Sequence, residues 1–131
     1  MLMMLGAFQS CQLRLEVNAS RLAIRESLTH PSQIQDWIFP QQLEPGLPPV
    51  LTTGLSYKSQ FSGLVITHEV ITVNDDCLKL LLSGSVEGFH YWYWGAGWVQ
   101  SHLEGVSLLP LQLVHSYALF QLRSFLGQMD S

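Results

Sequence analysis

The chain has 131 residues, the length of one ordinary domain and enough to bury a core without disulfides or metals. Hydrophobic residues make up 47 % and charged residues 12 %; an ordinary domain carries about 25 % charge, so intrinsic disorder is excluded. Six Lys and Arg against ten Asp and Glu give a net charge of −4, and the scattered cations form no patch for phosphates, which excludes a nucleic-acid partner.

Residues 1–5 are apolar, have no basic residue before them and meet Gln9, Ser10 and Gln12 soon after, so a secretion signal is not expected. No stretch approaches the ~18 apolar residues of a transmembrane segment. Cys11 and Cys77 have no CxxC or Cys/His spacing. Both are expected as reduced, small apolar groups in a cytoplasmic protein with no metal and no cofactor.

Alternation over residues 11–17 puts Cys11, Leu13, Leu15 and Val17 on one side of a half-buried strand. Asn18 is expected to cap a helix running to about Leu28, with Leu22, Ile24 and Leu28 toward the core. Pro31 disfavours helical geometry at His30 and opens a second short helix over residues 31–38, whose apolar face is Ile34, Trp37 and Ile38. Residues 39–53 hold four of the six prolines and read as a connection. A period of two then returns, predicting strands over residues 55–61, 64–73, 77–86, 89–94 and 98–107. Turn residues separate them at Ser62-Gly63, Asn74-Asp75-Asp76, Glu87-Gly88 and Gly95-Ala96-Gly97. Pro110 opens a helix to about Leu126, ended by Gly127. Its apolar stripe is Leu111, Val114, Ala118, Leu122 and Phe125, with Gln112, His115, Ser116 and Arg123 at wetter positions. The order predicts an α+β domain: a curved antiparallel sheet of six or seven strands packed on a long C-terminal helix, with two short helices after the first strand.

The step from Val17 through Asn18, Ala19 and Ser20 into the first helix, and then His30-Pro31-Ser32-Gln33-Ile34-Gln35-Asp36-Trp37, carry a resemblance. The second run resembles the D-P-x-x-x-x-x-W turn of the START-like, helix-grip superfamily, with His30 in the Asp position. Residues 51–57 resemble that superfamily's glycine-bearing second strand, and residues 108–126 its closing helix. The group includes the Bet v 1-like proteins and those described as polyketide cyclase/dehydrase and lipid transport. The resemblance covers nearly the whole chain and implies a single helix-grip domain over residues 1–131. It implies a hydrophobic ligand between sheet and helix, or ring-closing catalysis there. The chain is shorter than a typical member, with little room for long cavity-capping loops.

Residues 88–98 are unusually aromatic. A turn at Gly95-Ala96 pairs Trp94 with Gly97, Trp92 with Val99, His90 with Ser101 and Gly88 with Leu103. It also sets Glu87 opposite Glu104, a repulsive pair if dry. That face is therefore expected in water, with His90, Trp92, Val99, Ser101 and Leu103 toward the helix. Phe89, Tyr91, Tyr93 and Trp98 then form an outward aromatic strip. Ring pairing within the hairpin accounts for any one of them, whereas the strip as a whole reads as a surface for self-association.

His68 and Glu69 are neighbours on one strand, so only one can face the interior. Pairing Val73 with Leu78 points Glu69 inward; pairing Val73 with Cys77 points His68 inward, and Leu64, Ile66 and Val70 share the parity of His68. Either group in an apolar pocket would be shifted in pKa and able to move a proton. His90 beside Trp92 is a second inward polar group, whose plainer role is a structural hydrogen bond to backbone or Ser101. His115 is expected at the boundary of the closing helix, and Trp37 and Tyr57 at the rim of a cavity or in plain core. Asp75 and Asp76 lie in a turn, where Asp bonds locally. HExxH, GxSxG, P-loop and GxGxxG patterns are absent. The expected function is binding of a small hydrophobic or aromatic ligand, with Trp37, Tyr57, His68, Glu69, His90, Trp92 and His115 as candidate contacts. The alternatives are a cyclase or isomerase using an inward His or Glu, and a protein-interaction module whose cavity is filled.

Overall fold

Period-two patterning becomes a single antiparallel sheet. The computed structural model describes residues 6–129; the opening residues 1–5, read above for a secretion signal, lie outside the described residues. In chain order the elements are β1 (Ala7–Glu16), α1 (Arg21–Thr29), α2 (Pro31–Trp37), β2 (Gln42–Leu43), β3 (Ser56–Phe61), β4 (Leu64–Val73), β5 (Cys77–Gly84), β6 (Val86–Gly95), β7 (Trp98–Ser107) and α3 (Leu111–Met129). The seven strands run in the order β1-β7-β6-β5-β4-β3-β2. The sheet curves around α3, with α1 and α2 on the same side, which is the α+β helix-grip architecture expected. Among the described residues no helix is long and apolar enough to cross a membrane.

The core lies between the inward sheet face and the three helices. Leu78, Leu80, Leu82, Trp92, Val99 and Leu103 supply it from the sheet, and Ile24, Leu28, Ile34 and Trp37 from α1 and α2. On α3 the buried stripe is Leu111, His115, Leu119, Leu122 and Leu126, with Val114, Ala118 and Phe125 half-buried beside it. The expected stripe was thus one position out of phase, and His115 is in the core and not at the boundary.

Four local expectations are corrected. Ser20, not Asn18, caps α1: its hydroxyl accepts from the Ala23 N–H at 3.0 Å. With Ile24, Ser27 and Leu28 inward, Leu22 falls about 200° away on the helix and is 57 % exposed. The connection before β3 contains the two-residue strand β2. Gly127 does not stop α3, which runs on to Met129.

The β5–β6 turn sits at Gly84-Ser85, where Gly84 has φ +96°, and not at Glu87-Gly88. Gly88 has a different task. It pairs with Gly105 across β6 and β7, and a Cβ on Gly88 would lie 1.9 Å from the Glu104 carbonyl oxygen. The hairpin register therefore pairs Gly95 with Trp98, Trp92 with Ser101 and His90 with Leu103. That is two residues from the expected one, with Ala96-Gly97 as the turn. Glu87 faces Val106 and Glu104 faces Phe89, so the expected Glu–Glu opposition does not occur. A two-residue shift preserves parity, so each side chain keeps its expected face.

The two glycines give opposite expectations. Gly88→Ala forces β6 and β7 apart and should destabilise by about 2 kcal/mol or more in urea denaturation. Gly127→Ala, where a Cβ meets nothing within 4 Å, should stabilise by about 0.5–1 kcal/mol.

Candidate functional site

One extra residue decides which polar groups face the interior. Val73 pairs with Leu78, the register that would aim Glu69 inward in a regular ladder. Ile71 is bulged out between Val70 and Thr72, and the pairing resumes as Val70 with Leu80 and His68 with Leu82. An unpaired residue reverses the alternation beyond it. His68 consequently faces the core, whereas Glu69 is exposed and takes no part in the site.

His68 is sandwiched into the wall by neighbours of the same parity. The ring of Tyr57 stacks on it at 4.7 Å and 4°, and His68 Nε2 lies 2.9 Å from Ser59 Oγ. Its Nδ1 is buried and has no hydrogen-bond partner. Trp37 Nε1 donates to the Ser27 carbonyl at 2.8 Å, fixing the indole edge-on to Trp92 at 5.9 Å. Tyr57 is 4 % exposed, so it belongs to the wall and not to the rim.

A second polar group runs from β6 to β1. His90 Nε2 lies 2.9 Å from Ser101 Oγ, and the same oxygen is 2.8 Å from His115 Nε2. His115 Nδ1 is 3.2 Å from Cys11 Sγ. Four side chains from β6, β7, α3 and β1 thus form one continuous chain of hydrogen bonds. The His90–Ser101 bond was legible from strand parity. The roles of Cys11 and Ser59, and the second bond of Ser101, were not. All three are small polar residues on inward faces, which was the available signal.

Between these walls lies a chamber of about 110 Å³, lined by His68, His90, His115, Tyr57, Trp37 and Trp92 among apolar neighbours. Trp37, Ile38, Ile66, Val114 and Ala118 also line a groove of about 420 Å³ beside it. Phe61 and Leu64 on the β3–β4 hairpin and Leu113 and Tyr117 on α3 line the same groove with exposed apolar surface, 69 % in the case of Leu113. Among the described residues no Asp, Glu, Lys or Arg lines the chamber. Burial penalises the charged imidazoles and pushes His68 and His115 down to about 4. His90 lies well below its ordinary value, first from burial and then from His115, His68 and His102. Burial raises the Tyr57 hydroxyl and the Cys11 thiol. The polar groups of the chamber are all uncharged at neutral pH.

Outside the chamber, Phe89, Tyr91, Tyr93 and Trp98 lie on the opposite sheet face as expected, half-buried. Arg14 lies over Trp98 at 4.7 Å and Lys79 over Tyr91 at 5.3 Å. Asp75 and Asp76 pair with Arg25 and Arg21 and hold the β4–β5 turn against α1. Among the described residues no three His, Cys, Asp or Glu converge as a metal site.

No family model matches the chain, and no curated protein does. Solved structures do. Protein CV1439 from Chromobacterium violaceum superposes with a TM-score of 0.74 at 16 % identity, over 89 % of this chain and 96 % of that one. The Aha1 dimer from Colwellia psychrerythraea gives 0.68 at 14 %, over 90 % and 96 %. DynU16, from the dynemicin biosynthetic locus, gives 0.66 at 20 %, over 90 % of this chain and 47 % of that one. At these identities the likeness establishes the helix-grip fold.

The three buried imidazoles set a pH dependence. Their folded values lie below the unfolded value near 6.5, so the unfolded chain binds protons that the folded one refuses. Their contribution is complete above about pH 6.5 and is lost as the pH falls toward 4. Urea midpoints should fall across that window, each imidazole adding up to about 1.4 kcal/mol per pH unit. Midpoints independent of pH between 6.5 and 4.5 would contradict the buried, neutral assignment.

Proposed function

We propose that this protein binds a small apolar or aromatic molecule between its sheet and α3. The carrying observation is the chamber itself: uncharged polar groups in an apolar wall, beside a groove with an exposed apolar rim that shares Trp37, Ile66, Val114 and Ala118 with it. Concave, mostly apolar sites with a few fixed polar groups are the usual way such ligands are held. A chamber of about 110 Å³ is on the scale of a single aromatic ring, and the groove offers space for a longer substituent. The walls support this reading over a filled cavity, because Trp37 and Trp92 brace one side and leave space before α3. The fold shared with a protein of a biosynthetic locus favours a small molecule over a macromolecule. The same neutral imidazoles support a second reading, an enzyme that moves a proton on the bound ligand. A cytoplasmic location, with Cys11 and Cys77 kept as free thiols, fits either. Pairing of two copies through the Phe89, Tyr91, Tyr93 and Trp98 face is a separate part of the proposal, and a concentration-independent monomer on sizing chromatography overturns it.

Ala118 lines both chamber and groove, so Ala118→Phe should fill space in both. Binding of the uncharged fluorescent probe N-phenyl-1-naphthylamine should weaken tenfold or more, with the far-UV circular dichroism unchanged. Equal binding by the native protein and by a folded Ala118→Phe variant overturns the assignment of the site.

A further inference from the structure

The Cys11–His115–Ser101–His90 chain can hold its protons in two orders, and each order leaves every internal bond made. In one, the Cys11 thiol donates to His115 Nδ1, His115 Nε2–H donates to Ser101 Oγ, and the Ser101 hydroxyl donates to His90 Nε2. His90 Nδ1 then carries the proton and is a donor. In the other, His90 Nε2–H donates to Ser101, the Ser101 hydroxyl to His115 Nε2, and His115 Nδ1–H to the Cys11 sulfur. The thiol hydrogen turns to the Leu103 carbonyl, 3.6 Å away. His90 Nδ1 is then a bare acceptor. Neutral imidazole has one donor and one acceptor, so fixing one nitrogen fixes the other. The far end of the chain is a thiol on β1, and the near end is an imidazole in the chamber wall.

Charge restricts what can meet that imidazole. With no Asp, Glu, Lys or Arg among the described residues of the lining, a carboxylate or ammonium would lose its hydration and find no counter-charge. An uncharged ligand suffers no such loss. A hydroxyl both donates and accepts, so it can bond to His90 in either proton order. A hydrocarbon of the same size leaves that imidazole unmatched.

We propose that the Cys11–His115–Ser101–His90 chain makes the chamber a site for an uncharged, ring-sized molecule bearing a hydroxyl group. The ligand hydroxyl bonds to His90, and a phenolic hydroxyl, a better donor than acceptor, favours the order in which His90 Nδ1 is the bare acceptor. Ser101 is the positioning residue that links the two imidazoles. This rests on the ligand-binding reading above and adds to it the class of ligand.

The test compares toluene, phenol and benzoate, which share a ring and differ in one substituent. Hydration alone favours toluene over phenol in an apolar cavity, because phenol must leave its water partners. The native protein should instead bind phenol at least as tightly as toluene at pH 7.5, and benzoate at least tenfold more weakly than either. Ser101→Ala should reverse the preference to favour toluene by tenfold or more. In the native protein, phenol but not toluene should shift the imidazole ¹⁵N resonances of His90 and also His115 Nδ1, the nitrogen bonded to Cys11. This second measurement decides the matter if Ser101→Ala does not fold. A native preference for toluene of tenfold or more, a phenol–toluene ratio unchanged by Ser101→Ala, or a phenol response confined to His90 overturns the inference while leaving the ligand site standing. If toluene and phenol both fail to bind, the ligand site falls and the inference with it.

Discussion

The fastening of α3 across the sheet is the constraint on which the rest of this molecule depends. An apolar stripe alone would let a helix slide or rotate over a curved sheet, since hydrophobic attraction is non-directional. Two sets of hydrogen bonds remove that freedom. At the start of α3, Gln9 of β1 accepts from the Leu111 N–H at 2.9 Å and donates to the Leu109 carbonyl at 2.8 Å. One turn further, His115 bonds to Cys11 on β1 and to Ser101 on β7. A buried imidazole left without partners would be penalised by about 1–3 kcal/mol, so the bonded rotation is strongly selected. That rotation puts Val114 and Ala118 on the flank, where they shape the chamber and groove. Larger groups at these positions would close them.

The same logic explains why the interior tolerates polar groups. His68, His90, His115, Ser59 and Ser101 sit among leucines and tryptophans, where charge would be prohibitively unfavourable and neutral hydrogen bonds are not. Ser59 and Ser101 partner the imidazoles without bringing charge. The Nδ1 of His68 is left unmatched, as are Trp94 Nε1 and Gln33 Oε1; of these, only His68 belongs to a side chain lining the chamber. The shortage of charged residues in the sequence therefore has a location. Among the described residues the chamber walls carry none, and on the α1 side Arg21 and Arg25 pair with Asp76 and Asp75.

The convex face shows how composition and context diverge. Four aromatic residues in a short hairpin suggest a large sticky surface. In the fold each is half-buried, and the stems and heads of Arg14 and Lys79 lie over Trp98, Tyr91 and Tyr93. Lys79 comes from β5, the strand next to the hairpin, and Arg14 from β1, far from it in sequence, so the cover of Trp98 was invisible to local reading.

The sequence by itself determined the element order, the inward parity of β6 and β7, and the α+β class, because side-chain alternation is a local property that the backbone imposes. It also marked Trp37, Tyr57, His90 and Trp92 as interior aromatic and polar candidates. Tertiary structure decided the register of the hairpin, since the near-contact of Gly88 with Gly105 involves two strands at once. It decided between His68 and Glu69 through the bulge at Ile71, which changes the face of the residues before it relative to the β4–β5 turn without any mark in composition. It alone made His115 a core residue, because the phase of an amphipathic helix with polar groups on both flanks is fixed by what it packs against. Cys11 read as a small apolar group on one strand and became the end of a hydrogen-bonded chain only when α3 was laid across it.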